Sequence, residues 1–113
     1  MSMSQQQCEF ALDVARLIAH INMKKYNCSL GEAYRTEEQA KIYAQIGSGI
    51  MNSQHRKRLA IDLNLFSPSG EYLTRTEDYE PFGIFWESLN PLNKWGGRWE
   101  SRPDGNHFER MSE

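Results

Sequence analysis

Residues 59–66 read Leu-Ala-Ile-Asp-Leu-Asn-Leu-Phe and form the most regular segment of the chain. Apolar side chains occupy every second position, and a strand points successive side chains to opposite faces of its sheet. The pattern therefore predicts a strand with two different faces. One face carries Leu59, Ile61, Leu63 and Leu65, and the other carries Ala60, Asp62, Asn64 and Phe66. An aspartate in mid-strand, between isoleucine and leucine, is the unusual feature of this segment.

Two helices are predicted before this strand. Apolar residues at the 3.6-residue period indicate a helix over residues 6–25. Glu9 and Asp13 near its start suit the helix dipole, and His20 lies off the apolar stripe, so we expect it to be solvated. An extended segment over residues 28–34 follows. Thr36 and Gln39 then form a capping box that opens a second helix, which Gly47 ends. The stripe of the first helix consists of Phe10, Val14, Leu17, Ile18 and Ile21.

A polar loop over residues 47–58 leads into the strand, and turn residues follow it at 67–70. We expect the chain to return there as a hairpin through Tyr72 and Leu73. A third helix over residues 78–89 and a short strand over residues 107–109 complete the prediction, with an irregular segment at 95–99 between them. Helices flanking a small antiparallel sheet define an α+β fold.

The composition indicates one domain spanning residues 1–113. Apolar residues make up 39% of the chain and the net charge is −2, which argues against disorder and against a nucleic-acid-binding protein. No apolar run is long enough to span a membrane, and no secretory signal is recognised, so we expect synthesis in the cytoplasm. The expected oligomeric state is a monomer. Cys8 and Cys28 could form a disulfide, although two reduced thiols are the favoured interpretation.

The polar face of the strand is the first candidate site. If residues 107–109 pair with it and Phe108 joins the core, then Asp62, Asn64, His107 and Glu109 share one face. The simpler alternative is that this face meets water, as one face of an antiparallel sheet commonly does. His55 lies just upstream, however, and two imidazoles with one carboxylate form a known catalytic zinc set. Seven extended residues span about 23 Å, so the chain has to turn back between His55 and Asp62 for the two to meet.

The order of these motifs resembles a known family of zinc peptidases that act on peptidoglycan. Ser53-Gln54-His55, Leu59-Ala60-Ile61-Asp62 and Asp104-Gly105-Asn106-His107-Phe108 are similar to its S-x-H-x-x-G-x-A-x-D motif and its later acid and histidine. The family includes Van-type D-alanyl-D-alanine carboxypeptidases and dipeptidases, and the L-alanyl-D-glutamate endopeptidases found as phage endolysins. Tyr34-Arg35 and the Trp-Gly-Gly run at 95–97 also resemble family segments. The fold implied is the hedgehog/DD-peptidase fold.

The resemblance implies a role for each matched residue. His55, Asp62 and His107 would bind Zn²⁺, and Asp104 would act as the general base. Arg35 would stabilise the oxyanion of the substrate, and Ser53 would bind substrate. One departure from the pattern is that Arg58 stands where the family has glycine. Glycine permits backbone conformations that arginine resists, which leaves the loop geometry open at this point.

Each assignment has a simpler alternative. Pro103-Asp104-Gly105 is also favourable turn chemistry. Arg35 could pair with Glu37 or Glu38 on the surface, and Ser53 could be an ordinary loop serine. The basic run at residues 56–58 could contact anionic wall material or only water. The three tryptophans, Trp86, Trp95 and Trp99, are expected to form core and pocket wall rather than a sugar platform.

The predicted activity is hydrolysis of peptidoglycan stem peptides, with the L-alanyl-D-glutamate bond favoured. The alternatives are D-alanyl-D-alanine carboxypeptidase activity and a zinc-containing binding domain of the same fold without turnover. The substrate partner is a peptidoglycan peptide. The enzyme would reach the cell wall after release from the cell, and the lysis of a phage or prophage host is the expected setting.

Overall fold

A four-stranded antiparallel sheet with three helices forms the described part of the chain, residues 1–47 and 53–113 of a computed structural model. The helices are α1 (Met3–Met23), α2 (Glu37–Gln45) and α3 (Thr76–Leu89). The strands are β1 (Asn27–Leu30), β2 (Ala60–Phe66), β3 (Asn93–Trp95) and β4 (His107–Arg110), in the order β1-β2-β4-β3. This architecture confirms the predicted α+β class.

The two faces of β2 differ as the alternation predicts. Its apolar face is fully buried, whereas Asp62, Asn64 and Phe66 on the other face are partly exposed. Helices α1 and α3 pack against each other and join the buried face in one apolar cluster. The centre of the cluster includes Leu17, Ile21, Leu63, Leu65, Trp86 and Phe108. The core therefore lies on one side of the sheet, and the polar face of β2 and β4 is left for the candidate site.

Several element boundaries differ from those predicted. Helix α1 begins at Met3 because Ser2 and Gln5 form a reciprocal capping box, a signal outside the apolar stripe. Strand β3 was not predicted, since three residues are too few to show a period. The predicted hairpin is a single bridge between Phe66 and Tyr72. Within the predicted loop 47–58, residues 48–52 lie outside the described part, and Gln54–Lys57 forms a 3₁₀ turn.

Some residues have surroundings that local patterns did not reveal. His20 is half-buried rather than fully solvated, because its ring stacks on Phe85 with centroids 3.8 Å apart. Cys8 and Cys28 are both free thiols. No helix in the described ranges is long and apolar enough to cross a membrane.

A buried ionic network joins α1 to the end of the sheet. Asp13 lies mid-helix, not in the first turn, and is 3% exposed. Its carboxylate accepts hydrogen bonds from Arg110, also 3% exposed, and from Asn93 at 3.2 Å. Asn93 in turn accepts from Nε of Arg110 at 2.9 Å. The network supplies Arg110 with the partners that a buried guanidinium requires.

Replacing Asp13 by alanine is expected to lower the free energy of unfolding by about 3 kcal/mol, because it leaves the buried Arg110 charge with only the half-exposed Glu9 carboxylate, 3.7 Å away. Arg16→Ala is the matched control. It removes the other ion pair of Asp13, in which the Arg16 side chain is 58% exposed, and should cost about 1 kcal/mol or less. Urea unfolding of the metal-free protein measures both. Equal losses in the two variants would contradict the role given to the buried pair.

Candidate active site

His55 reaches the polar face of β2 because the chain reverses direction just before the strand. Ser53 accepts a hydrogen bond from the backbone N–H of His55 at 3.2 Å and caps the 3₁₀ turn. Arg58 then ends the turn in the left-handed conformation, with φ 57° and ψ 36°. This reversal brings the His55 ring to the Asp62 carboxylate, with Nε2 3.3 Å from Oδ1. The turn that spacing alone did not show is therefore present.

Asp62 and His107 meet through strand pairing. They are direct partners in the antiparallel register of β2 and β4, so their side chains rise from the same face at adjacent positions. Nδ1 of His107 lies 3.2 Å from Oδ1 of Asp62. His55 is 2% exposed and His107 is 4% exposed, so both imidazoles are almost sealed from solvent.

The three side chains have the geometry and chemistry of a metal site. One ligand atom from each of His55, Asp62 and His107 lies within 4.8 Å of the others. In a tetrahedral zinc site with bonds of about 2.0–2.1 Å, neighbouring ligand atoms are about 3.3 Å apart. The two nitrogen–oxygen distances of 3.3 and 3.2 Å match that separation. Two imidazoles and a carboxylate are also a donor set that zinc favours, so these residues fit the metal.

Hydrogen bonds on the outer side of each ring turn its other nitrogen toward Asp62. Nδ1 of His55 donates to the carbonyl oxygen of Ala33 at 3.0 Å, since a carbonyl can only accept. Nε2 is therefore the ring nitrogen that faces Asp62. His107 uses the opposite nitrogens: Nε2 donates to the carboxylate of Glu109 at 2.6 Å, and Nδ1 faces Asp62.

In the metal-free protein, the contacts within this cluster shift the pKa of two of its members. Burial alone would raise the pKa of Asp62, but hydrogen bonds from His107 and His55 outweigh it and lower the pKa to about 2. Burial would likewise lower the pKa of His107, whereas its bonds to Asp62 and Glu109 raise it to about 9. Asp62 is therefore ionised, ready to bind a cation.

Asp104 lies beside the cluster on the segment that leads into β4. Its backbone N–H donates to the Gly96 carbonyl at 3.0 Å, and its own carbonyl accepts from the N–H of His107 at 3.2 Å. A Cβ atom at Gly96 would lie 2.5 Å from the Asp104 oxygen and 2.9 Å from Cβ of His107. The Trp-Gly-Gly run therefore permits a close approach that a larger residue would prevent.

The environment of Asp104 suits proton transfer. Its side chain is half-buried, and burial raises its pKa above the ordinary value, with the charge of Asp62 acting in the same direction. His107 opposes that rise. A carboxylate with a raised pKa is a stronger base than a solvated one, which is the property a general base at neutral pH requires.

A cavity of about 600 Å³ opens above these residues. His55, Asp62, Asp104 and His107 all line it, together with the cationic side chains of Arg35, Lys57 and Arg102. Trp99 forms part of the wall, with its ring centroid 4.9 Å from that of His107, while Trp86 and Trp95 lie in the core as predicted. The cavity thus combines a candidate cation site with groups that attract carboxylates.

Arg35 is held at this cavity by a residue that sequence reasoning missed. Nε and a terminal nitrogen of Arg35 both donate to Glu32, rather than to Glu37 or Glu38. The same carboxylate oxygen of Glu32 lies 3.7 Å from Nε2 of His55. Glu32 reaches the site because the backbone around it pairs with that of Asp62. No local pattern distinguishes this glutamate from a surface one.

The basic run separates into different environments. The Lys57 ammonium donates to Ser112 at 3.1 Å and lines the cavity, whereas the Arg58 guanidinium stacks over the Tyr34 ring, 4.0 Å from its centroid. The left-handed φ of Arg58 explains the glycine found at this position in the family pattern. A non-glycine residue pays about 1–2 kcal/mol for that conformation, and the cation–π contact offsets part of it.

Glycine at position 58 is expected to give a protein about 1 kcal/mol more stable than alanine there, because only alanine keeps the left-handed strain after the Tyr34 contact is lost. Lys41 on α2 provides the control, since at an exposed helical position glycine should be about 1 kcal/mol less stable than alanine. Denaturant unfolding of Arg58→Gly, Arg58→Ala, Lys41→Gly and Lys41→Ala measures both differences. The same sign at both positions would show that the backbone conformation of Arg58 is not strained.

The fold and site define a small α+β protein with a His-Asp-His cluster in an open cavity. Comparison with known proteins agrees. Residues 46–110 match the family model described as D-alanyl-D-alanine carboxypeptidase. The match covers more than half of the chain, so the protein belongs to this family of peptidoglycan peptidases.

A solved structure shares the fold. The crystal structure of the Serratia marcescens L-Ala D-Glu endopeptidase ChiX superposes with a TM-score of 0.71 at 22% sequence identity, covering 88% of this chain and 77% of that one. At this identity the likeness shows the architecture alone. No curated protein matches the sequence.

Proposed function

We propose that this protein is a zinc-dependent peptidase that hydrolyses the L-alanyl-D-glutamate bond of peptidoglycan stem peptides. The observation that carries the proposal is the convergence of His55, Asp62 and His107 in a cavity that also contains Asp104. The three candidate ligand atoms face one point, and the half-buried Asp104 carboxylate lines the same cavity. One apolar cluster joins α1, the sheet and α3, which supports residues 1–113 acting as one domain.

His55, Asp62 and His107 would hold the zinc ion. When bound, zinc would lower the pKa of a water molecule and so provide a nucleophile at neutral pH. Asp104 would accept a proton from the attacking water and return it to the amine as the amide bond breaks. The raised pKa of Asp104 makes the carboxylate a better proton acceptor. The protonated carboxyl is still acidic enough to give the proton to the more basic leaving amine.

Arg35 would act on the substrate carbonyl. Its guanidinium lines the cavity and is oriented by Glu32 on one side and by the Tyr43 ring, 4.7 Å away, on the other. A cation held in place there stabilises the negative charge that develops on the carbonyl oxygen. Ser53 lines the same cavity, but its hydroxyl already accepts from the backbone of His55. We propose that it serves chiefly to hold His55, and contact with substrate is a secondary role.

The choice of the scissile bond depends on how the substrate fills the cavity. The similar fold of an enzyme named as an L-Ala D-Glu endopeptidase supports the favoured bond. The description of the matched family supports D-alanyl-D-alanine carboxypeptidase activity instead. Lys57 and Arg102 are compatible with either reaction, because a free carboxylate occurs at the C-terminus of a pentapeptide and on the D-glutamate residue.

Two defined substrates separate these activities. A muropeptide ending in D-alanyl-D-alanine and one lacking both D-alanines should be incubated with the zinc-loaded protein, and the products identified by mass spectrometry. Cleavage of both with a new D-glutamate N-terminus supports the proposal. Release of D-alanine from the first substrate alone would establish the carboxypeptidase alternative. If zinc is bound but neither substrate is cleaved, the domain is a binding module of the same fold.

The cellular setting follows from the substrate. A peptidoglycan peptidase acts on the cell wall, and we propose that this one reaches the wall during host lysis, as an endolysin does. Lysis of permeabilised cells, compared with intact cells, tests this setting independently of the bond cleaved.

A further inference from the structure

Glu109 is a buried carboxylate beside the metal cluster that has no role in the chemistry described so far. It lies on β4 two residues after His107, so strand alternation places both side chains on the cavity side while Phe108 enters the core. The residue is 9% exposed. A carboxylate at that depth needs a strong partner, because burying an unpaired charge is costly.

The partner of Glu109 is the nitrogen of His107 that faces away from the cluster. Oε1 of Glu109 lies 2.6 Å from Nε2 of His107, a short distance typical of a charge-assisted bond. Since a carboxylate only accepts, Nε2 carries a proton, and Nδ1 is the nitrogen directed at the point where Asp62 and His55 converge. The bond therefore fixes both the tautomer and the rotation of the ring.

The two histidines are held by different kinds of acceptor. His55 donates to the neutral carbonyl of Ala33, whereas His107 donates to the charged group of Glu109. A carboxylate behind an imidazole makes the opposite nitrogen a better electron donor than a carbonyl does. His107 lies on a strand, whereas His55 lies in a capped turn. The asymmetry indicates that His107 depends on Glu109 for its orientation and basicity.

We propose that Glu109 is a positioning residue that orients His107 as a metal ligand and strengthens its bond to the ion. This inference rests on the proposed zinc site. Glu109 would act through the hydrogen bond to Nε2 and would not itself bind the metal or the substrate. Its removal should weaken metal binding and alter the ligand field while leaving the fold intact.

Glu109→Ala and Glu109→Gln test the proposal, with Glu80→Gln on the exposed face of α3 as the control for loss of one negative charge. Zinc affinity is measured by competition with a chelator. We expect alanine to weaken zinc binding about 10–100-fold, and glutamine, whose amide oxygen can still accept from Nε2, to weaken it less. The control should bind zinc as the wild type does.

Replacing zinc with cobalt(II) gives an absorption spectrum that reports on the metal ligands. A residue with a purely structural role would not change that spectrum. The d–d bands of the cobalt protein should shift in both Glu109 variants, while the melting temperature of the metal-free glutamine variant stays close to the wild type. If the alanine variant fails to fold, the glutamine variant decides the question. Wild-type zinc affinity and an unchanged cobalt spectrum in that variant would overturn the proposal.

The design also separates this inference from the proposed function. His107→Ala should lose zinc whether or not Glu109 matters. Full zinc binding by His107→Ala would contradict the metal site itself, whereas loss of zinc there with unaltered Glu109 variants would contradict only the positioning role.

Discussion

Replacing His55 by alanine is expected to remove stoichiometric zinc from the purified protein and to lower wall hydrolysis by roughly a thousandfold or more. A catalytic metal contributes several kcal/mol to the transition state, and about 1.4 kcal/mol corresponds to a factor of ten in rate. His55 supplies one of only three donors found in the cluster of the described residues. Two remaining donors would hold the ion far less tightly. Zinc content by mass spectrometry and lysis of purified walls measure the two effects together.

His20→Ala is the matched control for this experiment. The chain has three histidines, and His20 lies on α1 stacked against Phe85, away from the cavity. Its removal should leave zinc content and hydrolysis near the wild-type values, with at most a modest loss of stability. A His55→Ala protein that retains full zinc would end the ligand assignment, and with it the mechanism.

Asp104→Asn is expected to retain zinc and to lower kcat about 10²–10⁴-fold, the usual contribution of a positioned general base. The amide has nearly the shape of the carboxylate, so the hydrogen bonds between the Asp104 backbone, Gly96 and His107 should persist. The loss would therefore report on proton transfer rather than on the geometry of the turn. Hydrolysis of a defined muropeptide at saturating substrate measures kcat directly.

Glu100→Gln is the control, because it removes one negative charge from an exposed position four residues before Asp104. It should leave kcat unchanged. Undiminished turnover by Asp104→Asn would show that the residue serves only the turn, which is the alternative its Pro-Asp-Gly context offers. A loss of zinc in that variant would instead show that Asp104 supports the ligands. Combining zinc content with kcat distinguishes these outcomes.

Local patterns in the sequence predicted most of the elements but only some of their boundaries. The alternation over residues 59–66 predicted β2 and its buried face correctly, since an apolar period of two is a direct consequence of strand geometry. The capping of α2 by Thr36 was also predictable, because that hydroxyl acts within one helical turn. Strand β3, in contrast, exists only because it pairs with β4, and such pairing leaves no local signal in three residues.

The candidate site shows the same division. His55, Asp62 and His107 were predicted from their order in a family motif, and the structure brings the three together. Glu32 and Glu109 were not given roles, because each acts through a partner that only folding places beside it. Glu109 was expected to share the face of His107, yet alternation alone cannot tell a solvated carboxylate from one hydrogen-bonded to a ring nitrogen.

By itself, the sequence determined which side chains face the core, where α2 is capped and which residue types are available for chemistry. These properties depend on neighbours within a few positions along the chain. Only the tertiary structure decided that a left-handed Arg58 turns His55 back to Asp62, that Asp13 meets Arg110 in the interior, and that Glu109 holds His107. Each of these contacts joins distant parts of the chain or depends on a backbone reversal, and its free energy arises from burial and charge that exist only once the core has formed.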